Sequence, residues 1–489
     1  MDISSLLKES GCYIDGKWSE GQGPELKSFN PANGELLATT PSSSASQVSD
    51  ALASASHAFH SGEWSRLTAK DRGALIHRLT DLLERDREEL TQLIATEVGS
   101  PISTGRAIQL GTPIDLFRYA AESAITGPKD GLEEMLPLHF NPVASESMLL
   151  REPIGVVGAI IAYNVPIFLA ALKLGPALAA GCTAVLVPSP RALLSTTAFV
   201  KLIDEAGFPP GAVNYVFGSP SVTEQVASAP EVSMVSFTGS AAVGAKIMAL
   251  AAPTLKKVVL ELGGKSANIV LPGTNLDPVI APSTLRFCIN AGQRCGATTR
   301  ALVHESDFDE FVDRTAAFMR SLVVGDPLRE ETQVGPLITQ EHLRTVEGYV
   351  NRAKAEGANI VIGGGRPAGL EQGAFFEPTI VTGLSNSAEI NQEELFAPVT
   401  TVIPYKDIDE AVEIANDSRY GLGGNIWGPT VESIAMARRL RTGTVTINGG
   451  GGRRNDAPWG GYGMSGIGRE TGDEGYREFF EVKHVQWKL

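Results

Sequence analysis

A chain of 489 residues is too long for one hydrophobic core, so two or three domains are expected. Apolar residues at 43% and charged residues at 20% are ordinary for a globular protein. The formal net charge of −15 disfavours nucleic acid and anionic membrane surfaces as partners, since both demand clustered Lys and Arg, and leaves a small-molecule substrate as the better fit.

Cys12, Cys182, Cys288 and Cys295 are scattered, with no CxxC pair, so no disulfide framework is expected. Met1 to Gly11 has no basic start followed by a long apolar run, and a reducing cytoplasm is the expected setting. No metal site is expected.

In chain order, residues 13–40 read as short strands with a turn at Asn30-Pro31-Ala32-Asn33-Gly34. A polar loop near 42–46 offers Ser44 or Ser46 as a helix N-cap. Helical periodicity covers 46–62 and 68–98, with Leu75, Leu79, Leu82, Leu83 and Leu90 on one face. From 154 the pattern becomes strand–helix–strand: Gly155–Ala162, Pro166–Ala180, Thr183–Val187, Ser195–Glu205, Ala212–Val216, Val232–Phe237, then a helix from 242. Such alternation implies a parallel sheet covered on both faces, with ligands at the carboxyl ends of its strands. The apolar stretch Ile154–Val187 would carry Asn164, Pro166, Lys173 and Pro176 if it crossed a membrane, and it reads instead as buried core. A second α/β region spans about 264–460, and the tail 481–489 alternates like a half-buried strand that needs a partner edge, here or on another subunit.

Four places carry chemistry. Phe237-Thr238-Gly239-Ser240 ends a strand, and a Gly at such a turn lets backbone N–H groups approach a phosphate. Glu261, between apolar residues and Gly263-Gly264, is a carboxylate whose burial would raise its pKa into the range of a useful base. Cys295 follows Arg294, a cation expected to favour the thiolate. Asn164 interrupts an apolar run at a strand end, where its amide can donate to a developing oxyanion. Each has a bland alternative: a structural glycine turn, a salt-bridged Glu, an inert buried Cys, an Asn capping backbone.

Together these places resemble the aldehyde dehydrogenase superfamily over essentially the whole chain. The matching motifs are AYNVP at 162–166, GPALAAG at 175–181, FTGS at 237–240, ELGGKS at 261–266, GQRC at 292–295, EELFAPV at 393–399 and PWGGYGMSGIGRE at 458–470. The resemblance implies that Cys295 is the nucleophile, Glu261 the general base, Asn164 the oxyanion donor and Lys173 a supporting residue. It implies NAD as cofactor, with NADP as the alternative, contacted by Ile161, Ala162, Tyr163, Val187, Ser189, Phe237, Thr238, Gly239, Ser240, Gly244, Leu262, Gly263, Glu394 and Phe396. Val187 and Pro190 replace the family's usual Lys and Glu at the adenosine ribose, so the choice between the two cofactors is open, with Arg191 as a substitute contact.

The implied architecture is α/β. It has a Rossmann-like parallel-sheet cofactor domain (1–125 and 149–263), a second α/β catalytic domain (264–463) and a small β bridging or oligomerisation element (126–148 and 464–489). A homodimer or homotetramer is expected. Val165, Leu172, Ile289, Arg294, Arg453 and Trp459 are expected to line the substrate pocket. The first three replace aromatic residues of relatives acting on small aldehydes, so a bulky aromatic or terpenoid aldehyde is expected, or a long semialdehyde whose polar end meets Arg453 or Arg454. An acyl-CoA-forming enzyme and a non-catalytic relative are the competing readings; Glu261 and Cys295 respectively argue against them.

Overall fold

The computed structural model describes Leu6 and residues 11–489, so most of the Met1–Gly11 segment lies outside the described residues. Near the N-terminus, Cys12–Ile14 and Lys17–Ser19 form a hairpin turning at Asp15-Gly16, both with positive φ. Ser44 rather than Ser46 caps the helix Ala45–His60: its hydroxyl accepts from the Gln47 N–H, while the Gln47 side chain accepts from the Ser44 N–H. The periodicity over 68–98 belongs to two helices, Ala69–Arg85 and Arg87–Val98, because Asp86 leaves helical geometry between them.

Five parallel strands form the middle of an eight-stranded sheet, in the order Val213–Tyr215, Thr183–Pro188, Val156–Ile161, Val232–Thr238, Lys257–Glu261. The N-terminal hairpin closes one edge and the short strand Gly466–Ile467 the other, both antiparallel. Strand order reverses between Val156–Ile161 and Val232–Thr238, and the crevice outside their carboxyl ends is where such sheets hold ligands. The helix Pro166–Ala180 is buried along nearly its whole length and ends at Gly181, which takes the left-handed conformation. That burial explains the apolar run of Ile154–Val187, and among the described residues no helix is long and apolar enough to cross a membrane.

A second, seven-stranded sheet runs Asn359–Ile362, Thr379–Thr382, Val399–Tyr405, Thr298–His304, Ser266–Val270, Gly423–Trp427, Thr444–Ile447, parallel except at its first pair. The step from Glu261, at the end of the first sheet, to Ser266, at the start of the second, is what brings the two layers together around 261–266.

The tail forms the strand Phe480–Lys488, paired antiparallel with Ser145–Pro153, which pairs in turn with Glu133–Met135. Its partner edge is therefore in its own chain. The expected half-buried pattern holds only in the second half of the strand: Glu481 to His484 are exposed, whereas Val485 and Trp487 are partly covered between exposed neighbours.

Candidate active site

Glu261 closes the strand Lys257–Glu261 and is almost fully buried. Its Oε1 accepts the indole N–H of Trp459 at 3.0 Å, and its Oε2 has no partner. Burial first, then the nearby charge of Glu470, push its pKa up to about 8; the Trp459 bond, the Cys295 thiol and the Lys173 cation pull the other way. A carboxyl with a pKa near 8 is mostly protonated at neutral pH, and its ionised fraction, which grows as pH rises toward 8, is the form that can take a proton.

Cys295 lies beside Glu261, partly exposed. Arg294 acts on Cys295 in the expected direction, toward the thiolate, but it is outweighed. Burial pushes the thiol well above its usual value, the Glu261 and Glu394 carboxyls add to that, and Arg294 is the smallest of the named contributions. The resting cysteine is a neutral thiol that needs a proton acceptor beside it.

The loop before Cys295 is sharply wound. Asn290, Ala291 and Gly292 all have positive φ, and a Cβ on Gly292 would sit 2.1 Å from the Ala397 carbonyl oxygen. Asn290 holds the turn by donating its amide to the carbonyls of Asn164 at 3.1 Å and Gln293 at 3.3 Å. Gln293, fully buried, accepts the Ile338 N–H at 2.9 Å and the Tyr163 hydroxyl at 3.2 Å, and donates to the Asn290 and Pro336 carbonyls.

Asn164 donates one amide hydrogen to the Gln293 carbonyl at 2.9 Å. The capping alternative is thus realised for that hydrogen, and it ties Asn164 to the loop two residues before Cys295; a primary amide has a second hydrogen to give. Gln109 donates to the Asn164 carbonyl at 3.0 Å from a π-helical turn at Arg106–Gly111. Lys173, fully buried on Pro166–Ala180, donates to Glu470 at 2.8 Å and to the Ser236 hydroxyl at 3.2 Å. Glu470 and Trp459 exchange two backbone hydrogen bonds of 2.7 Å, so the Lys173–Glu470 pair and the Trp459–Glu261 bond belong to one unit.

The glycine-turn residues lie together at the strand ends. Thr238 and Ile161 end neighbouring strands, and Gly239 donates to the Glu261 carbonyl at 3.1 Å. Ser240 caps the helix Ala241–Ala251, where a Cβ on Gly244 would strike Leu262. Phe237 and Leu262 are buried beneath. Glu394 accepts the Gly264 N–H at 3.0 Å, and a Cβ on Gly263 would meet its other oxygen at 2.1 Å. Burial lifts Glu394 to about 7. Phe396, at positive φ, meets the Tyr163 ring edge-on at 6.2 Å. Ala162 flanks Tyr163, and Val187 and Ser189 stand at the end of Thr183–Pro188; Arg191 stacks 5.8 Å over the Tyr163 ring.

Of the six pocket candidates, Val165 and Leu172 are buried at the start and middle of Pro166–Ala180, and Leu172 borders an apolar cavity of about 30 Å³ with Leu116, Ala120 and Tyr476. Ile289 and Arg294 are half-buried. Arg453 and Arg454 differ. Arg454 is exposed and pairs with Asp456 at 2.6 Å, whereas Arg453 lies 4.5 Å over the Phe168 ring and senses the charges of Glu470, Cys295 and Glu261. Trp459 does more than line a wall, since it holds Glu261. Glu470, Gln293, Asn290 and Gln109 were not singled out from the sequence; Glu470 and Gln293 carried a signal, as members of the motifs at 458–470 and 292–295.

The model of the aldehyde dehydrogenase family matches residues 18–485, and the chain belongs to that family. It is 39% identical over 479 residues to betaine aldehyde dehydrogenase of Bacillus subtilis, covering 97% of this chain and 96% of that one. It is 39% identical over 477 residues to 3-succinoylsemialdehyde-pyridine dehydrogenase of Pseudomonas, covering 97% of each. The crystal structure of Mycobacterium tuberculosis aldehyde dehydrogenase complexed with NAD+ superposes with a TM-score of 0.93 at 38% identity, covering 97% of each chain.

Proposed function

We propose that this aldehyde dehydrogenase oxidises a bulky aldehyde to its carboxylic acid, with NAD+ as hydride acceptor and NADP+ as a weaker alternative, through a thioester on Cys295. The observation that carries the reading is the meeting of Cys295 and Glu261 at the step between the two sheets, with Asn164 tethered to the same loop.

The chain's own groups account for the proton movements. The Cys295 thiol gives up its proton as sulfur attacks the aldehyde carbon, and the neighbouring Glu261 in its ionised form is the acceptor at hand. The remaining amide hydrogen of Asn164 and the Cys295 backbone N–H stabilise the oxygen as it gains charge. Glu261 then passes that proton to solvent and, ionised again, takes one from the water that cleaves the thioester. Lys173 acts at one remove: it neutralises Glu470, which otherwise bears on Glu261.

The crevice fits a dinucleotide. Ser240 opens a helix whose first backbone N–H groups suit a diphosphate. Glu394 has a second oxygen beyond the one that accepts from Gly264, suited to accept from ribose hydroxyls. The bound cofactor supplies the acceptor for the aldehyde hydride. With neither a carboxylate to repel a 2′-phosphate nor a lysine to attract it at 187–190, NAD+ is preferred modestly.

The three-part domain division and the apolar substrate belong to the same proposal. The aliphatic Val165, Leu172 and Ile289, where relatives acting on small aldehydes carry aromatic residues, favour a bulky body in the aldehyde. The exposed Met135, Leu138, Phe140, Val143 and Val482 on and around the small sheet favour its burial in a homodimer or homotetramer.

Purified protein mixed with benzaldehyde and NAD+ should produce reduced cofactor and benzoate in equal amounts without CoA. Absence of turnover across aromatic, aliphatic and semialdehyde substrates with both cofactors would remove the proposal, and acetaldehyde surpassing benzaldehyde in kcat/KM would remove its bulky-substrate part.

A further inference from the structure

Tyr163 and Asn164 are neighbours in the chain, and both bond the same residue of the loop that carries Cys295. The Tyr163 hydroxyl reaches the Gln293 side-chain oxygen at 3.2 Å, and the Asn164 side-chain amide reaches the Gln293 backbone oxygen at 2.9 Å. The dipeptide thus grips Gln293 at both ends, two residues before Cys295.

The direction of the Tyr163 bond follows from its surroundings. The Ile338 N–H can only donate, and at 2.9 Å it marks Oε1 as the oxygen of the Gln293 amide. Tyr163 is therefore the donor, and burial holds its pKa above the ordinary 10, so the proton stays. The two amide hydrogens of Gln293 go to the Asn290 and Pro336 carbonyls at 3.2 and 3.3 Å, which saturates the group. Among the described residues Tyr163 is the one side chain bonded to that amide; the other partners are backbone groups. The ring is itself set from two sides, edge-on by Phe396 at 6.2 Å and from above by the Arg191 guanidinium at 5.8 Å.

The grip restrains a strained segment. Asn290, Ala291 and Gly292 all have positive φ, and for Asn290 and Ala291 that conformation persists only where the surroundings impose it. A released loop relaxes and carries Cys295 out of line with its partners. Reacting groups tolerate little of this, since a misplacement of about 1 Å can cost about a hundredfold in rate.

We infer that Tyr163 is a positioning residue for the reaction: together with Asn164 it clamps Gln293, and so holds Cys295 in register with the Asn164 amide and the Glu261 carboxyl. The inference rests on the proposed thioester chemistry of Cys295 and gives the Tyr163 hydroxyl a part in it separate from any contact of the ring with the cofactor. A clamp with one jaw missing holds nothing, so the losses of Tyr163 and Asn164 should not add.

Two readouts test it, both with Tyr163→Phe, which keeps the ring and removes the donor. In rapid mixing with benzaldehyde and NAD+, the first-turnover rate of hydride transfer should fall about tenfold, while the half-saturating concentrations of aldehyde and NAD+ stay within about twofold. Added to Asn164→Ala, the same change should cost less than about twofold. An undiminished rate in Tyr163→Phe, or an equal loss in both backgrounds, overturns the inference. The second readout needs no turnover: alkylation of Cys295 by iodoacetamide without cofactor. Tyr163→Phe should slow it about threefold or more, because the sulfur lies less well placed to give its proton to Glu261. A rate equal to or above that of the native enzyme overturns the inference. If the native enzyme oxidises no aldehyde, the proposed oxidation falls, and the alkylation rates still decide whether Tyr163 positions Cys295.

Discussion

Trp459 donates its indole N–H to Glu261 Oε1 at 3.0 Å, and this is the only hydrogen bond that the carboxyl receives from a described side chain at full geometry. The bond favours the charged form, so it opposes the burial that lifts Glu261 to about 8. Trp459→Phe keeps the ring and removes the donor. The rate of aldehyde oxidation in the native enzyme should rise with pH to a plateau above about 8, and in Trp459→Phe the rise should move alkaline by about one unit. A profile unmoved or displaced toward acid would show that Glu261 does not set it.

Glu470 acts on the same titration from the opposite side. Its negative charge is the second cause of the high Glu261 pKa, so Glu470→Gln should move the rise toward acid. The pair with Lys173 also has a structural cost when cut. Lys173→Met leaves a buried, unpaired carboxylate and should destabilise the protein by about 3–5 kcal/mol, while the double variant Lys173→Met/Glu470→Leu should recover much of that loss. Denaturant unfolding of the three variants checks it; a double variant no more stable than Lys173→Met alone would count against a paired role.

Glu261 should also make the native state sensitive to alkali. Its folded pKa lies above the ordinary 4.5, so the folded chain holds a proton that the unfolded chain releases. Its contribution is least unfavourable below about 4.5 and worsens as pH rises toward 8, where the buried charge forms. Glu261→Gln has no such charge to bury. Its melting temperature should match the native enzyme's near pH 5 and exceed it by about 2 °C near pH 9. Equal melting temperatures at both pH values would mean that Glu261 ionises without penalty.

Much of the fold was legible because its signals are local. The strand–helix alternation from 156 to 251 follows from apolar runs punctuated by Gly and Pro, and the helix Pro166–Ala180 agrees with its sequence limits. The division at Asp86 was not legible, because Leu75, Leu79, Leu83 and Leu90 keep facing the core across it. In the site, Glu261 and Cys295 stood out for their glycine-rich settings and Asn164 for interrupting an apolar run before Pro166. Glu470 could not be matched to Lys173, 297 positions away, and Gln293 reads as an ordinary polar residue until its buried partners are known. Arg294, visible as a neighbour in sequence, acts in the expected direction, but the desolvation and the carboxyls that outweigh it at Cys295 come from the fold.

The tail offers a test of assembly. Removing residues 481–489 unpairs most of Ser145–Pro153 and exposes a strand edge. The truncated chain should no longer form the proposed oligomer on size exclusion and should aggregate on warming. Elution at the native position would show that the tail is not needed for assembly.

The thioester on Cys295 is tested most directly by trapping it. Glu261→Gln mixed rapidly with benzaldehyde and NAD+ should release reduced cofactor in a burst approaching one equivalent per active site, then stall. Peptide mapping after acid quench should place a benzoyl group on Cys295, and Cys295→Ala should give neither burst nor adduct while still binding NAD+. A burst without acylation of Cys295, or an acyl group found on another residue, would contradict the account.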